Sequence, residues 1–134
     1  SDGDLNISIL SPSDVSGSDL NNVSAVIKLD YGEASFLFMG DAEAEIESGL
    51  LNQDIDADVL KVGHHGSNTS SSDAFIAAVS PIHAVISCGA DNDYGHPSEE
   101  TLETLGKYGI TVYRTDLDGT IIITGNKSGD YTID

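Results

Sequence analysis

The stretch DVLKVGHHGSNTSSS, residues 58–72, decides how the rest of the chain is read. DVLKVG is an apolar run of strand length, and the serines that close the stretch suit the start of a helix. Between them two histidines, His64 and His65, stand side by side among glycines, in a chain that has four histidines in all. A strand, a tight polar turn and a capped helix form the unit from which parallel sheets are assembled.

Working outward, the same alternation continues in both directions. Downstream, SSSDAFIAAVS places Phe75, Ile76 and Val79 on one helical face, and Pro81 stops that helix. HAVISCGA (83–90) is a second buried strand, DNDYGHP a loop, and SEETLETLGKYG a helix with Leu102, Leu105 and Tyr108 inward. TVYRT (111–115) and TIIIT (120–124) read as a hairpin on an Asp-Gly turn, and the tail as a final edge strand. Upstream, VSAVIKLD (23–30) and ASFLFM form a hairpin about YGE, NISIL (6–10) is a short strand, and 11–20 is a loop. In GDAEAEIESGLL, Ala42, Ile46 and Leu50 recur at helical spacing, and Asp41 falls at a natural capping position. These elements predict an α/β (α+β) fold: a mixed sheet with helices on one face.

Composition narrows the class. The 134 residues suit one domain, with 39% apolar side chains, no tryptophan and no apolar run near the roughly 20 residues that span a bilayer. The N-terminus lacks the basic-then-apolar pattern of a signal peptide, so the chain reads as soluble. Net charge is −18, from 23 acidic and 5 basic side chains, which disfavours a basic groove for nucleic acid. Most of the acids read as solvated surface, save any that converge on a metal. Cys88 is alone, which excludes an intramolecular disulfide and a multi-cysteine metal site.

Polar residues gather where strands end. Asp41 follows FLFMG, His64 and His65 follow VLKVG, and Asp91, Asn92, Asp93 and His96 follow VISCGA. Ligands of open α/β sheets bind at such carboxyl ends. Carboxylate and imidazole without thiolate suit zinc, manganese or iron. The competing reading makes Asp41 a helix cap and the histidines loop hydrogen-bonders; no local HExxH spacing decides between the two. Lys61 reads as a solvated side chain, His83 as packed or surface, Asn21 and Asn22 as turn formers, and SNTSSS chiefly as a cap.

The runs NNVSAVIKLDYGEASFLFMGDAEAE, DVLKVGHHGSNTSSS, VISCGADNDYGHPSEETLETL and VYRTDLDGTIII resemble the metallo-β-lactamase superfamily, nearest its ComEC/Rec2-like competence branch of hydrolases. The resemblance spans about residues 21–124. It implies the C-terminal half of an αββα sandwich. It also implies a metal-dependent hydrolase of phosphodiester or related ester bonds, in an extracytoplasmic or membrane-associated parent protein. By position, Asp41 matches the carboxylate shared by two ions, Zn²⁺ or Mn²⁺, and one of His64 and His65 matches a histidine ligand, His65 being favoured because it stands nearer the following helix. His64 would then line the pocket, and His96 of GHP would meet substrate or carry a proton. Two such ions polarise water and stabilise charge developing on phosphoryl or acyl oxygen.

The departure from the family pattern is as informative. Neither HxHxDH nor a histidine before the Asp41 strand occurs in residues 1–134. Two ligands fall short of the three or four that hold zinc well. The expectation is a fragment that binds metal weakly, is nearly inactive alone, and pairs with a missing N-terminal half through an uncovered apolar sheet face. That face could instead make a homodimer. The alternative is a non-catalytic module that keeps the fold.

Overall fold

The computed structural model describes residues 5–11, 25–89, 95–126, 128 and 130–134. The expectations for Asn21, Asn22, Asp91, Asn92, Asp93 and most of the 11–20 loop lie outside the described residues.

Six strands form one mixed sheet in sequence order: β1 (Leu5–Ser11), β2 (Val26–Tyr31), β3 (Ala34–Phe38), β4 (Val59–Lys61), β5 (His83–Ile86) and β6 (Thr111–Arg114). β1, β2 and β3 pair antiparallel, whereas β3 to β6 run parallel. Each parallel step is bridged by a helix: α1 (Ala44–Leu50), α2 (Asp73–Val79) and α3 (Glu99–Lys107). Strands added in one direction with crossovers of one hand put every helix on the same face. Alternation within the strands then sorts the side chains. Leu37, Leu60, Ala84 and Ile86 turn to the helices and meet Leu50, Phe75, Ile76, Val79 and Leu105, all at most 2% exposed. The mixed sheet with helices on one face is the expected fold.

Local capping agrees with the sequence for α2, where the Ser72 side chain accepts from Phe75 N, and α3 is capped in the same way by Ser98, which accepts from Thr101 N. It differs for α1. That helix starts at Ala44 with Glu43 as N-cap and no side-chain cap, so Asp41 sits in the preceding turn and caps nothing. Ala42 is buried but outside the helix. Tyr108 is also corrected: it is 42% exposed, its hydroxyl bonded to Asp73 at 2.9 Å, because α3 gives way at Gly109, φ +70°, before a full inward turn is made.

The C-terminal hairpin differs as well. β6 and β7 do not pair. Residues Thr115–Asp118 wind into a helical turn (α4), and Asp118 Oδ2 accepts from Arg114 N at 2.9 Å, which uses the chain reversal that a hairpin needs. β7 (Ile123–Gly125) pairs instead with β8 (Tyr131–Ile133) in a separate two-stranded sheet. This small sheet lies across the face opposite the helices. Ile123 and Tyr131 pack on Ala34, Phe36 and Val59, and His83 Nδ1 lies 3.0 Å from the Tyr131 hydroxyl. The face expected to be bare is therefore half covered, and His83 is a packed histidine.

Candidate metal centre

The turn Gly63–Gly66 carries the two histidines, and both have left-handed backbones, φ 50° for His64 and 56° for His65. Such angles are uncommon for residues with a Cβ and persist only where surroundings enforce them. Three contacts enforce them here. His64 N donates to Gly40 O at 2.8 Å, which joins the turn to the loop holding Asp41. Gly63 lets the Asp41 loop approach, since a Cβ there would stand 2.9 Å from the Ala42 carbonyl oxygen. Gly66, φ +81°, does the same for the GHP segment, because a Cβ would stand 2.7 Å from Pro97 Cβ.

These close approaches bring together four of the residues singled out from sequence. His65 Nε2 lies 3.5 Å from Asp41 Oδ1. His96 stacks on His65, with ring centroids 6.5 Å apart and planes 16° apart, and meets the edge of His64 at 5.8 Å. His65 Nδ1 lies 2.7 Å from the Ser87 carbonyl oxygen. A carbonyl only accepts, so Nδ1 donates to it and Nε2 is the ring nitrogen that faces Asp41. A carboxylate and an imidazole nitrogen that face each other can share either a proton or a metal cation. Ligand atoms about 2.0–2.2 Å from a tetrahedral ion stand about 3.3–3.6 Å apart, and the observed 3.5 Å falls in that range. The pair therefore fits two positions around one ion. Among the described residues no group of three or more His, Cys, Asp or Glu is placed to hold a metal.

His64 is held differently. Its Nδ1 lies 3.2 Å from Thr69 Oγ1 and 3.9 Å from Glu43 Oε2. Burial, and then the neighbouring His64 and His65, push the His96 imidazole below its ordinary pKa, which keeps it neutral near pH 7.

Two residues escaped the sequence reading. Glu47, 1% exposed, accepts from the backbone N–H groups of Ser71 and Ser72 and so ties the helix after Asp41 to the loop after His65. The signal was present, because Glu47 stands three residues before Leu50 on the inward side of α1. Lys61, read as solvated, is instead half-buried on the face away from the helices. Burial lowers its pKa, against the pull of Asp41 and Cys88.

The chain is thus a mixed α/β sheet with helices on one face, with Asp41, His64, His65 and His96 gathered beside the ends of its parallel strands. The chain belongs to the metallo-β-lactamase superfamily, whose family description matches residues 18–90. It is similar to competence proteins in particular. Identity is 42% over 120 residues with ComE operon protein 3 of Bacillus subtilis (strain 168), covering 88% of this chain and 16% of that protein. It is 39% over 120 residues with Competence protein ComA of Neisseria gonorrhoeae, covering 87% of this chain and 17% of that one. It is 39% over 117 residues with Recombination protein 2 of Haemophilus influenzae (strain ATCC 51907 / DSM 11121 / KW20 / Rd), covering 87% and 15%. The chain thus spans about a sixth of the length of these relatives.

Proposed function

We infer that this chain is the C-terminal portion of a metal-dependent hydrolase domain acting on phosphodiester or related ester bonds, with Asp41 and His65 as ligands to divalent ions, zinc or manganese. The observation that carries this reading is the Asp41 Oδ1–His65 Nε2 separation of 3.5 Å, with the other His65 nitrogen already engaged by Ser87 O. A bound divalent ion supplies Lewis acidity, polarising the ester oxygen and making water nucleophilic near neutral pH. The chain's own residues do the rest. Ser87 holds the His65 ring in its ligating tautomer. His64 walls the pocket, and neutral His96 contacts substrate or accepts its proton. In this reading the remaining ligands for two ions sharing Asp41 come from polypeptide outside residues 1–134, in an HxHxDH half, and the isolated chain is nearly inactive.

The resemblance to the competence branch favours DNA as the ester and action outside the membrane; a small phosphoester is the alternative substrate. With a net charge of −18, any DNA contact falls to the ions and to the rest of the protein. The test is to co-express the preceding portion of the gene and assay bis(p-nitrophenyl) phosphate hydrolysis with zinc or manganese. Wild type should turn over and Asp41→Ala should not; inactivity of wild type with both metals sinks the reading.

A second reading, a non-catalytic module that keeps the fold, is favoured by the lack of a third ligand among the described residues. It requires that the upstream coding sequence lack HxHxDH, which sequencing decides.

A further inference from the structure

His65 Nδ1 donates to Ser87 O at 2.7 Å, and the group that holds this carbonyl comes from the neighbouring strand end. The Ser87 carbonyl and the Cys88 N–H belong to one planar trans peptide group, so they point in opposite directions. Cys88 N donates to Thr115 Oγ1 at 2.9 Å, and Thr115 Oγ1 donates in turn to Cys88 O at 3.0 Å. All three hydrogen bonds run the same way, from the imidazole through the Ser87–Cys88 peptide and the Thr115 hydroxyl to the Cys88 carbonyl. Bonds aligned head to tail polarise one another. Thr115 therefore grips the peptide on the side away from His65, and by accepting its N–H it raises electron density on the oxygen that the imidazole meets.

The local fold explains why a side chain fills this place. β5 and β6 pair in parallel from His83 opposite Thr111 to Ile86 opposite Arg114. Beyond Arg114 the chain leaves the ladder and winds into α4, so the Ser87–Cys88 peptide falls just past the last paired residues. Its N–H still needs an acceptor, and the Thr115 hydroxyl supplies one. The turn that presents Thr115 is itself fastened. The Arg114 guanidinium donates to both Asp116 oxygens, at 3.0 and 2.6 Å, Arg114 N to Asp118 Oδ2 at 2.9 Å, and Gly119 N to Thr115 O at 3.1 Å.

We propose that Thr115 is a positioning residue for His65, acting through the Ser87–Cys88 peptide to hold the imidazole with Nε2 toward Asp41. Its bearing on hydrolysis rests on the reading of His65 as a metal ligand; its geometry does not. The helical turn that replaces the expected hairpin thereby gains a role at the candidate metal centre. Loss of an outer group that orients a ligating histidine typically costs about 10–100-fold in metal affinity or activity.

The first measurement uses the chain alone, without metal. Nitrogen NMR at about pH 9, above the usual imidazole range, reads which ring nitrogen carries the proton. Wild-type His65 should be protonated at Nδ1. Valine matches threonine in shape but forms neither bond, so Thr115→Val should lower the ratio of Nδ1-protonated to Nε2-protonated His65 about fivefold, the equivalent of one ordinary hydrogen bond. Thr115→Ser should restore the ratio. His83, whose ring is held by Tyr131 instead, should stay as it is in both variants. Wild type gives an independent check that no variant needs: a Cys88 amide protected from hydrogen exchange, and scalar coupling across the bond from His65 Nδ1 to the Ser87 carbonyl carbon. An unprotected Cys88 amide, a ratio indifferent to Thr115→Val, or a change shared equally by His83 would overturn the proposal.

The second measurement co-expresses the preceding portion of the gene and follows bis(p-nitrophenyl) phosphate hydrolysis against zinc concentration. Thr115→Val should need about tenfold more zinc for its half-maximal rate, and Thr115→Ser should recover the wild-type dependence. A zinc dependence untouched by Thr115→Val would count against the proposal. A His65 ring that responds to Thr115→Val, in a wild type that hydrolyses nothing, would sink the metal reading and leave Thr115 as the residue that positions His65.

Discussion

His65 holds two unlike conditions at one position: a left-handed backbone and a ring fixed by Ser87 O. For a residue with a Cβ that backbone costs roughly 1–2 kcal/mol. His65→Gly should therefore be more stable than His65→Ala by about 1 kcal/mol, although both lose the ring. Urea unfolding of the two variants measures this directly, and the opposite order would mean that the turn relaxes when the ring is gone. Glu47 permits a pH test. Burial raises its carboxyl above the ordinary value, outweighing the Ser72 and Ser71 N–H groups that act the other way. A carboxyl with a raised folded pKa opposes folding while ionised, and that opposition is relieved as pH falls through the folded pKa toward the unfolded value. Glu47→Gln should destabilise by about 1–3 kcal/mol at pH 7, because a backbone N–H then faces an amide donor. The gap to wild type should widen on acidification from neutral toward the ordinary glutamate pKa. A gap constant over that range would show that Glu47 does not titrate there.

At the scale of elements, the site depends on two glycines more than on any helix. Gly63 and Gly66 allow the loops after β3 and before α3 to close on the histidine turn, and Ser98 N donates to Gly66 O at 2.9 Å to seal the second contact. Gly66→Ala adds a Cβ that meets Pro97 while φ stays at +81°. The expected loss is about 1–3 kcal/mol, with His96 displaced from His64 and His65. Proton NMR contacts between the His96 and His65 rings should vanish in the variant, and their survival would mean that Pro97 yields without moving His96. Asp41 shows the same dependence from the other side. Its position between strand and helix suggests a cap, yet α1 begins three residues later, which leaves the carboxylate facing His65.

Across the whole molecule, one face of the sheet is buried by helices and the other is half covered by a small hairpin. Tyr131 anchors that hairpin by its edge contact with Phe36, ring centroids 5.8 Å apart, and by its bond with His83. Tyr131→Phe should lower stability by about 1 kcal/mol through the lost hydroxyl, and Tyr131→Ala by about 1–3 kcal/mol. Thermal unfolding distinguishes them, and equal effects would place the whole contribution in the hydroxyl.

By itself the sequence determined the order of the six strands of the main sheet and the three helices between them, most of the helix-facing core and the placing of Asp41, His64, His65 and His96 in segments that follow strands. Each of these follows from local periodicity, capping residues and turn chemistry, which act over a few residues. Only the tertiary structure decided that β7 pairs with β8, that Glu47 is inside, that Lys61 is half-buried, and that Asp41 and His65 come within 3.5 Å. The reason is that these outcomes depend on where segments distant in sequence meet. Close backbone approach at two glycines and a competing helical turn at Thr115–Asp118 control those meetings, and neither leaves a periodic trace in the chain.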